Sequence, residues 1–340
     1  MRPTRRPRPA AAPAAVLLAA ALLAGCGQGG GGGADGKGEP ELGPVAVRPA
    51  TSALSLPMDA YTDTDAEAGR MAQVQGMLVS QCMARYGFTY EGPTPRQGAP
   101  GAAPEDRHRY LFGLADPAYA AAHGYDQTAG AGSPVKPPAP EVSDSAYVVL
   151  NGEQRGTRTS QPPADARTEE EAAQLDSGLT AGGQKVPSGG CGREGYRKLY
   201  APTKDSVDLL FPFGLASEAH DRSKRDSRVV EVLKNWSACM AKSGYGEVKS
   251  PYDVTEKLGL DGGPAAGPDG GPGGPKAIAA AKADVACKRE VNLVGIWAAV
   301  EEAYQKRLVE EHAQTLALYK KQREARFKLA ATLASSATPG

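Results

Sequence analysis

The chain of 340 residues is poor in aromatic residues and in histidine, and very little of it alternates as a β-strand does. Aromatic residues make up 6% of the chain, whereas glycine and proline number 42 and 28. We therefore expect a modest core and some disordered segments. The histidines lie far apart, and no two have the spacing of metal ligands: His108, His123, His220 and His312. The sequence predicts no metal site and no cofactor.

Catalytic motifs are also missing. There is no Gly-x-Ser-x-Gly nucleophile turn, no His-Glu-x-x-His metalloprotease helix and no phosphate-binding glycine loop. No two cysteines form a Cys-x-x-Cys pair, which argues against zinc and against a thioredoxin-type redox site. We therefore predict that the protein is not an enzyme.

The charge balance excludes one class of partner. The chain holds 39 basic and 39 acidic residues, and four of the arginines stand within the first eight positions. Removal of that start leaves 35 basic residues, so the rest of the chain is mildly acidic. Nucleic acid requires a strongly basic face, and we exclude it as a partner.

The first 25 residues have the composition of an export signal. A basic start precedes an apolar run that is shorter than the about 20 residues of a membrane-spanning helix. The residues at its end, Leu23-Ala24-Gly25-Cys26, resemble the lipobox of bacterial lipoproteins. This resemblance implies cleavage before Cys26, lipid attachment to that cysteine and a location on the extracytoplasmic face of the cell membrane. The alternative is an ordinary secretory signal with an incidental cysteine.

The remainder of the chain is predicted to be mostly helical. Residues 26–60 are glycine-rich at first and show no helical or strand period, so we interpret them as a flexible tether. Beyond them, apolar residues recur at helical spacing, and strand-like alternation is confined to residues 147–150. We predict two related helical units, residues 61–200 with disordered insertions and residues 201–335, with glycine- and proline-rich linkers between elements.

The last segment is the most regular part of the sequence. From Pro275 to about Leu333 no proline interrupts the chain, and we predict one very long C-terminal helix, with coiled-coil character. Its apolar stripe recurs in steps of three and four at Leu293, Trp297, Val300, Tyr304 and Leu308. We assign its acidic residues, including Glu301, to a solvated face. The stripe thins toward a basic end formed by Lys320, Lys321, Arg323, Arg326 and Lys328.

An internal repeat marks two helix ends. Residues 79–88 and 236–245 align without a gap, and both contain serine, cysteine, methionine, alanine, a basic residue, glycine and a final aromatic residue. This pattern is typical of a helix closed by a Schellman motif. In that motif glycine adopts the left-handed conformation, and the residue after it packs back on the last turn.

The cysteines after Cys26 predict a disulfide framework. They are four in number, which indicates two disulfides in an exported protein. Each cysteine of the repeat is followed by a loop and then by another cysteine early in a helix. We therefore pair Cys82 with Cys191 and Cys239 with Cys287. Crossed pairing stays open, because connectivity is not fixed by sequence alone.

Three short pieces of the sequence carry a family resemblance. They are Gly189-Gly190-Cys191, the pair Cys239-Met240 with Gly244-Tyr245, and Ala283-Asp284-Val285-Ala286-Cys287-Lys288 leading to Trp297. They resemble a group of uncharacterised lipoproteins and secreted proteins of high-G+C Gram-positive bacteria, over about half of the mature chain. The resemblance implies a compartment and a scaffold, and no particular chemistry.

These observations lead to one main hypothesis and two alternatives. We expect a non-catalytic, membrane-anchored envelope lipoprotein, an interaction or structural module that presents its C-terminal helix to another envelope protein or to an anionic wall polymer. The thinning apolar stripe motivates this hypothesis, since such a helix requires a partner. A solute-binding lipoprotein of an importer is the first alternative, although its two lobes usually need strands. A cell-wall hydrolase is the second.

Overall fold

The structure, a computed structural model, describes residues 38–92, 106–128, 142–156, 166–262 and 271–336. The helices within these ranges are α1 Asp65–Arg85, α2 Pro117–His123, α3 Asp144–Asn151, α4 Glu169–Ala172, α5 Gly190–Tyr200, α6 Phe211–Ser223, α7 Ser227–Lys242, α8 Val254–Lys257, α9 Pro275–Glu290, α10 Leu293–Glu311 and α11 Ala313–Ser336. Two strands, β1 Thr180–Ala181 and β2 Gln184–Lys185, form one small antiparallel ladder.

The predicted mostly α-helical fold is confirmed. One local prediction is wrong, because the strand-like residues 147–150 lie in α3. The side chain of Ser143 accepts a hydrogen bond from the Ala146 amide at its start, and Gly152 ends the helix in the left-handed conformation. These two caps outweigh the strand preference of the valines between them.

The long C-terminal segment is divided into three helices, so the predicted single helix is not confirmed. The first break lies at Asn292, which adopts a left-handed conformation with φ of 55°. Its side-chain oxygen accepts from the Arg48 amide at 2.7 Å, and its side-chain nitrogen donates to the Ala46 carbonyl at 3.0 Å. The second break is the single residue His312, between α10 and α11. The first break depends on a partner more than 240 residues away, which no local pattern reveals.

The same contact explains a glycine in the first turn of α10. A Cβ atom placed on Gly295 would stand 2.0 Å from the Ala46 carbonyl oxygen. Only glycine allows the N-terminal segment to approach the helix this closely. The break at Asn292 and the glycine after it therefore form one docking point for residues 46–48.

Residues 40–60, which were predicted to be part of a flexible tether, belong to the folded unit. From Pro40 onward the N-terminal segment packs against the core, with Leu56, Met58 and Tyr61 buried and two short 3₁₀ turns at Thr51–Ala53 and Pro57–Tyr61. Its apolar residues have no regular period because the segment follows the surfaces of α6 and α10 as an irregular chain. Residues 26–37 of the predicted tether lie outside the described residues.

The apolar residues between Leu215 and Ser243 recur at helical spacing and would suit one helix, but the structure has two helices here, α6 and α7. Asp226 separates them, because its side chain accepts a hydrogen bond from the Arg228 amide as the N-terminal cap of α7. The carboxylate is buried and also binds the Arg228 guanidinium. A capping aspartate inside an otherwise periodic stretch is the sequence signal for this break.

The predicted division into two helical units is not confirmed. The described residues after Pro40 belong to one compact unit, and residues 1–39 fall outside it. Elements of the two predicted halves are interleaved. Phe327 and Ala330 of α11 pack with Met71 of α1 and Leu199 of α5, so the end of the chain covers the beginning. The thinning stripe of α11 is covered within the chain itself.

Candidate functional site

The two disulfides join the cysteines paired in the sequence analysis. Cys82 is bonded to Cys191, and Cys239 is bonded to Cys287. The Cα–Cα distances are 5.5 and 5.6 Å, in the middle of the usual range. Cys26, the predicted lipidation site, lies outside the described residues.

The repeated helix ends form the same backbone cap. At the first, the Phe88 amide donates to the Met83 carbonyl at 3.1 Å. At the second, the Tyr245 amide donates to the Met240 carbonyl at 2.9 Å. The glycine of each repeat is left-handed, with φ of 78° and 92°, and each aromatic residue packs on the hydrophobic cluster that contains its methionine. These are the bonds of a Schellman motif, as predicted.

Beside the second disulfide lies a completely buried ion pair. Lys288 donates to Asp284 at 3.0 Å, and both side chains have no exposed surface. Asp284 also accepts from the Trp236 indole at 2.9 Å and from the Tyr125 hydroxyl at 3.2 Å, while Lys288 donates to the Leu114 carbonyl at 2.6 Å. Burial raises the pKa of Asp284 and lowers the pKa of Lys288, and their mutual attraction opposes both shifts. The pair fastens α9 to α7 and to the loop before α2.

Beside the first disulfide lies a more open ion pair. Glu194 is 8% exposed, but its partners Arg85 and Lys198 are 49% and 40% exposed. Burial alone would raise the pKa of Glu194. The hydrogen bonds from Lys198 and Arg85 outweigh this and hold the pKa below its usual value. This pair links α5 to the capped end of α1.

A second buried network centres on Glu301, which was predicted to lie on a solvated face. That assignment is wrong, because Glu301 has no exposed surface. It accepts from Ser223 at 2.8 Å and from Gln305 at 3.0 Å, and His220 Nδ1 lies 3.1 Å away. The Trp297 indole in turn donates to the Ser223 hydroxyl at 2.8 Å. The spacing of the residues could have indicated this burial, because Glu301 follows Trp297 by four residues and so lies beside the buried stripe.

The network continues outward through the imidazole. His220 Nε2 lies 3.0 Å from the Tyr252 hydroxyl, which donates to the Leu111 carbonyl. The His220 ring also stacks on Trp297, with the two ring planes 3° apart. The hydroxyl hydrogens of Ser223 and Tyr252 are already directed to protein acceptors. The arrangement is therefore suited to joining α6, α10 and the turn before α8, and it presents no activated nucleophile.

The other histidines have local partners too. His108 Nε2 lies 3.0 Å from Asp59 of the N-terminal segment, and the rings of His123 and His312 lie against Tyr119 and Phe211. Burial alone would raise the pKa of Asp59, but bonds from His108 and the Leu56 amide lower it overall. In the described part of the chain, no three histidine, cysteine, aspartate or glutamate side chains form a group able to hold a metal.

Three of the five basic residues near the end of α11 contact other side chains of the protein. Arg323 pairs with Asp63 at 2.5 Å and with Glu67 at 2.9 Å. The Arg326 guanidinium lies over the Tyr319 ring, and the Lys320 ammonium lies over another tyrosine ring. Two of the five residues, Lys321 and Lys328, remain as exposed surface cations.

An open groove runs between α2 and α9 and has a volume of about 640 Å³. Its floor is apolar and includes Pro117, Ala121, Val285 and Ala286. Its other lining residues are three cations, Arg48, Lys282 and Arg289, and one acid, Glu290. We call this feature the α2/α9 groove.

The cations of the α2/α9 groove differ in how they are held. Arg48 Nε donates to the Arg289 carbonyl at 2.9 Å, which fixes its side chain at the groove. Among the described residues, Lys282 and Arg289 have no carboxylate partner. A smaller cavity of about 210 Å³ adjoins the groove and shares Arg48, Pro117 and Arg289. The groove thus combines an apolar surface with two cations that are free to pair with a ligand.

Comparison with protein-family models, with curated proteins and with solved structures finds no match to this chain. In the described ranges, none of the helices combines the length and the apolar character needed to cross a membrane.

Proposed function

We propose that the protein is a non-catalytic lipoprotein of the bacterial cell envelope, anchored to the outer face of the cell membrane through Cys26 and acting as an interaction module. The lipobox-like residues before Cys26 support the anchor. The two disulfides support export, because disulfides persist in oxidising compartments. The 13 residues between Cys26 and Pro40 are rich in glycine, a composition that suits a linker between an anchor and a folded part.

The α2/α9 groove is the interaction surface in this proposal. The observation that carries it is an apolar floor beside Lys282 and Arg289, two cations without a carboxylate partner among the described residues. A segment with acidic and apolar side chains would cover the floor and neutralise both cations. A phosphate polymer offers charge and nothing for the floor, so we favour a protein partner over an anionic wall polymer. This replaces the presentation of α11, whose apolar stripe is already covered.

A solute-binding lipoprotein of the two-lobed α/β type is less well supported. The described residues contain a single ladder of two-residue strands, and the rest of their regular structure is helical. A cell-wall hydrolase is also less well supported, because the hydroxyl groups around His220 are committed to internal hydrogen bonds.

The test places a photo-crosslinking amino acid at Ala121, an exposed floor residue, in the full chain expressed in its own host. We expect a crosslink to one envelope protein, mapping to a segment rich in acidic and apolar residues. The double variant Lys282→Glu/Arg289→Glu should abolish it by charge repulsion. The matched control is Lys321→Glu/Lys328→Glu, which reverses two exposed cations on α11 and should leave the crosslink unchanged.

Two outcomes would contradict the proposal. One is a crosslink that survives charge reversal in the groove. The other is the absence of any protein crosslink together with binding of purified anionic wall polymer that depends on Lys282 and Arg289. The second result would reassign the groove to the polymer.

A further inference from the structure

A second cavity, on a different part of the molecule, has walls rich in tyrosine. It has a volume of about 310 Å³ and lies between the loop before α2, the turn after α2 and the start of α8. Tyr110, Tyr125 and Tyr252 line it, together with the acidic residues Asp126 and Asp261. None of the described residues that line it is lysine, arginine or histidine. Three of the chain's 13 tyrosines are gathered here, and the charged residues among the described lining residues are both aspartates.

The hydroxyl groups of these tyrosines are directed into the protein. Tyr125 donates to Asp284 at 3.2 Å, and Tyr252 donates to the Leu111 carbonyl. The Tyr110 hydroxyl oxygen is buried. Burial, reinforced by Asp284, raises the pKa of Tyr125, so this phenol stays neutral. The tyrosines therefore contribute ring surface to the cavity, and none of their three hydroxyl groups is both exposed and without a partner.

The rings are held in place before any ligand arrives. The Tyr125 amide donates to the Pro272 carbonyl at 2.8 Å, which joins the turn after α2 to the start of α9. The Tyr252 ring packs edge-on against Trp297 with centroids 5.9 Å apart, and its hydroxyl is held by His220. A ligand would not have to order these side chains, which favours binding.

Ring faces and carboxylates attract the same kind of ligand. An aromatic face attracts a cation through its quadrupole, and a carboxylate adds direct charge attraction. A sugar needs hydrogen-bond donors as well, and the tyrosine hydroxyls here are either bonded within the protein or buried. We propose that this cavity binds a small organic cation with a methylated ammonium group. This inference is independent of the α2/α9 groove and goes beyond the proposed function.

The test is calorimetric titration of the purified, disulfide-bonded full chain with choline and with tetramethylammonium. The neutral comparison ligand is 3,3-dimethylbutan-1-ol, which has the shape of choline without its charge. We expect saturable binding of both cations, and binding of the neutral alcohol at least about tenfold weaker. Tyr252→Leu should weaken cation binding about fivefold to tenfold, and Asp126→Asn should weaken it by a smaller factor.

Two controls separate the cavity from general effects on folding. Tyr252→Phe retains the ring and removes only the hydroxyl that faces His220, so cation binding should stay within about twofold of the parent. Phe213→Leu removes an exposed aromatic residue outside the cavity and should leave binding unchanged. The inference is overturned if neither cation binds a chain whose circular dichroism is unchanged, or if the neutral alcohol binds equally well.

Discussion

The helix ends at Cys82 and Cys239 share a sequence pattern and a backbone cap, but the charges beside them are held differently. In each case the partner cysteine lies in a helix that also carries an acidic residue followed by lysine four positions later. At the first end the lysine is 40% exposed, and at the second it has no exposed surface. The acid–lysine spacing is the same, and the energetic consequences differ because water is excluded from only one of the two pairs.

The two helix ends show which features depend on local sequence and which depend on tertiary packing. The Schellman cap depends on a few consecutive residues and is therefore the same at both ends. The burial of Asp284 and Lys288 depends on Trp236 and on the loops that carry Leu114 and Tyr125, which are distant in sequence. Four experiments test this separation.

The largest effect should come from removing either disulfide. In the chain-entropy model, bridges that span 109 and 48 residues contribute about 4–5 kcal/mol each to the free energy of unfolding. We expect losses of this order for Cys82→Ser/Cys191→Ser and for Cys239→Ser/Cys287→Ser in urea unfolding. The parent protein under reducing conditions is the control. A loss below about 1 kcal/mol at either site would show that the bridge does not stabilise the fold.

The sharpest contrast should come from the two lysines. Lys288→Met leaves Asp284 buried without its charge partner and should cost about 3–5 kcal/mol of unfolding free energy. Lys198→Met, the matched change at the first end, should cost less than about 1 kcal/mol because its pair is partly solvated. Urea unfolding measures both. The double variant Asp284→Asn/Lys288→Met should recover part of the loss. Equal costs for the two lysines would contradict the comparison.

The glycines of the two caps should behave alike. Both are left-handed, and a Cβ atom at either would meet no neighbour within 4 Å. Gly87→Ala and Gly244→Ala should each cost about 1–2 kcal/mol from backbone strain alone. Thermal unfolding of the parent and of the two variants measures the loss of unfolding free energy at each cap. A difference above about 1 kcal/mol would mean that the caps do not act locally.

The smallest effect concerns pH at the first end. The pKa of Glu194 is lowered in the folded protein, so its ionised form stabilises the fold above the unfolded pKa, and this contribution disappears as the pH falls through the folded pKa. Glu194→Gln should therefore cost about 0.5–1 kcal/mol near neutral pH and less in acid. Urea unfolding of the parent and of Glu194→Gln, near neutral pH and again in acid, tests this. A cost that grows in acid would have the wrong sign.

Much of the local structure is readable from the sequence. Thr64 and Glu67 form a capping box at the start of α1, and the side chains of Asp116 and Thr168 cap α2 and α4. Caps of this kind depend on side chains within a few residues of one another, so a single sequence contains the necessary information.

The failures arise where distant segments meet. Asn292 breaks the C-terminal segment because Ala46 and Arg48 bind its side chain, and Glu301 is buried because Ser223 and His220 satisfy it. The α2/α9 groove was likewise missed, since its cations come from the N-terminal segment and from α9. Each of these features requires knowledge of which segments pack together.

The most direct test of the account is a native mass spectrum of the full-length protein extracted gently from its own membranes. We predict a chain beginning at Cys26 that carries a lipid mass, shows the mass deficit of two disulfides and retains a bound protein. That bound protein should be absent from the Lys282→Glu/Arg289→Glu variant and present in the Lys321→Glu/Lys328→Glu control. A chain without lipid, or a bound mass that survives charge reversal in the α2/α9 groove, would contradict the account.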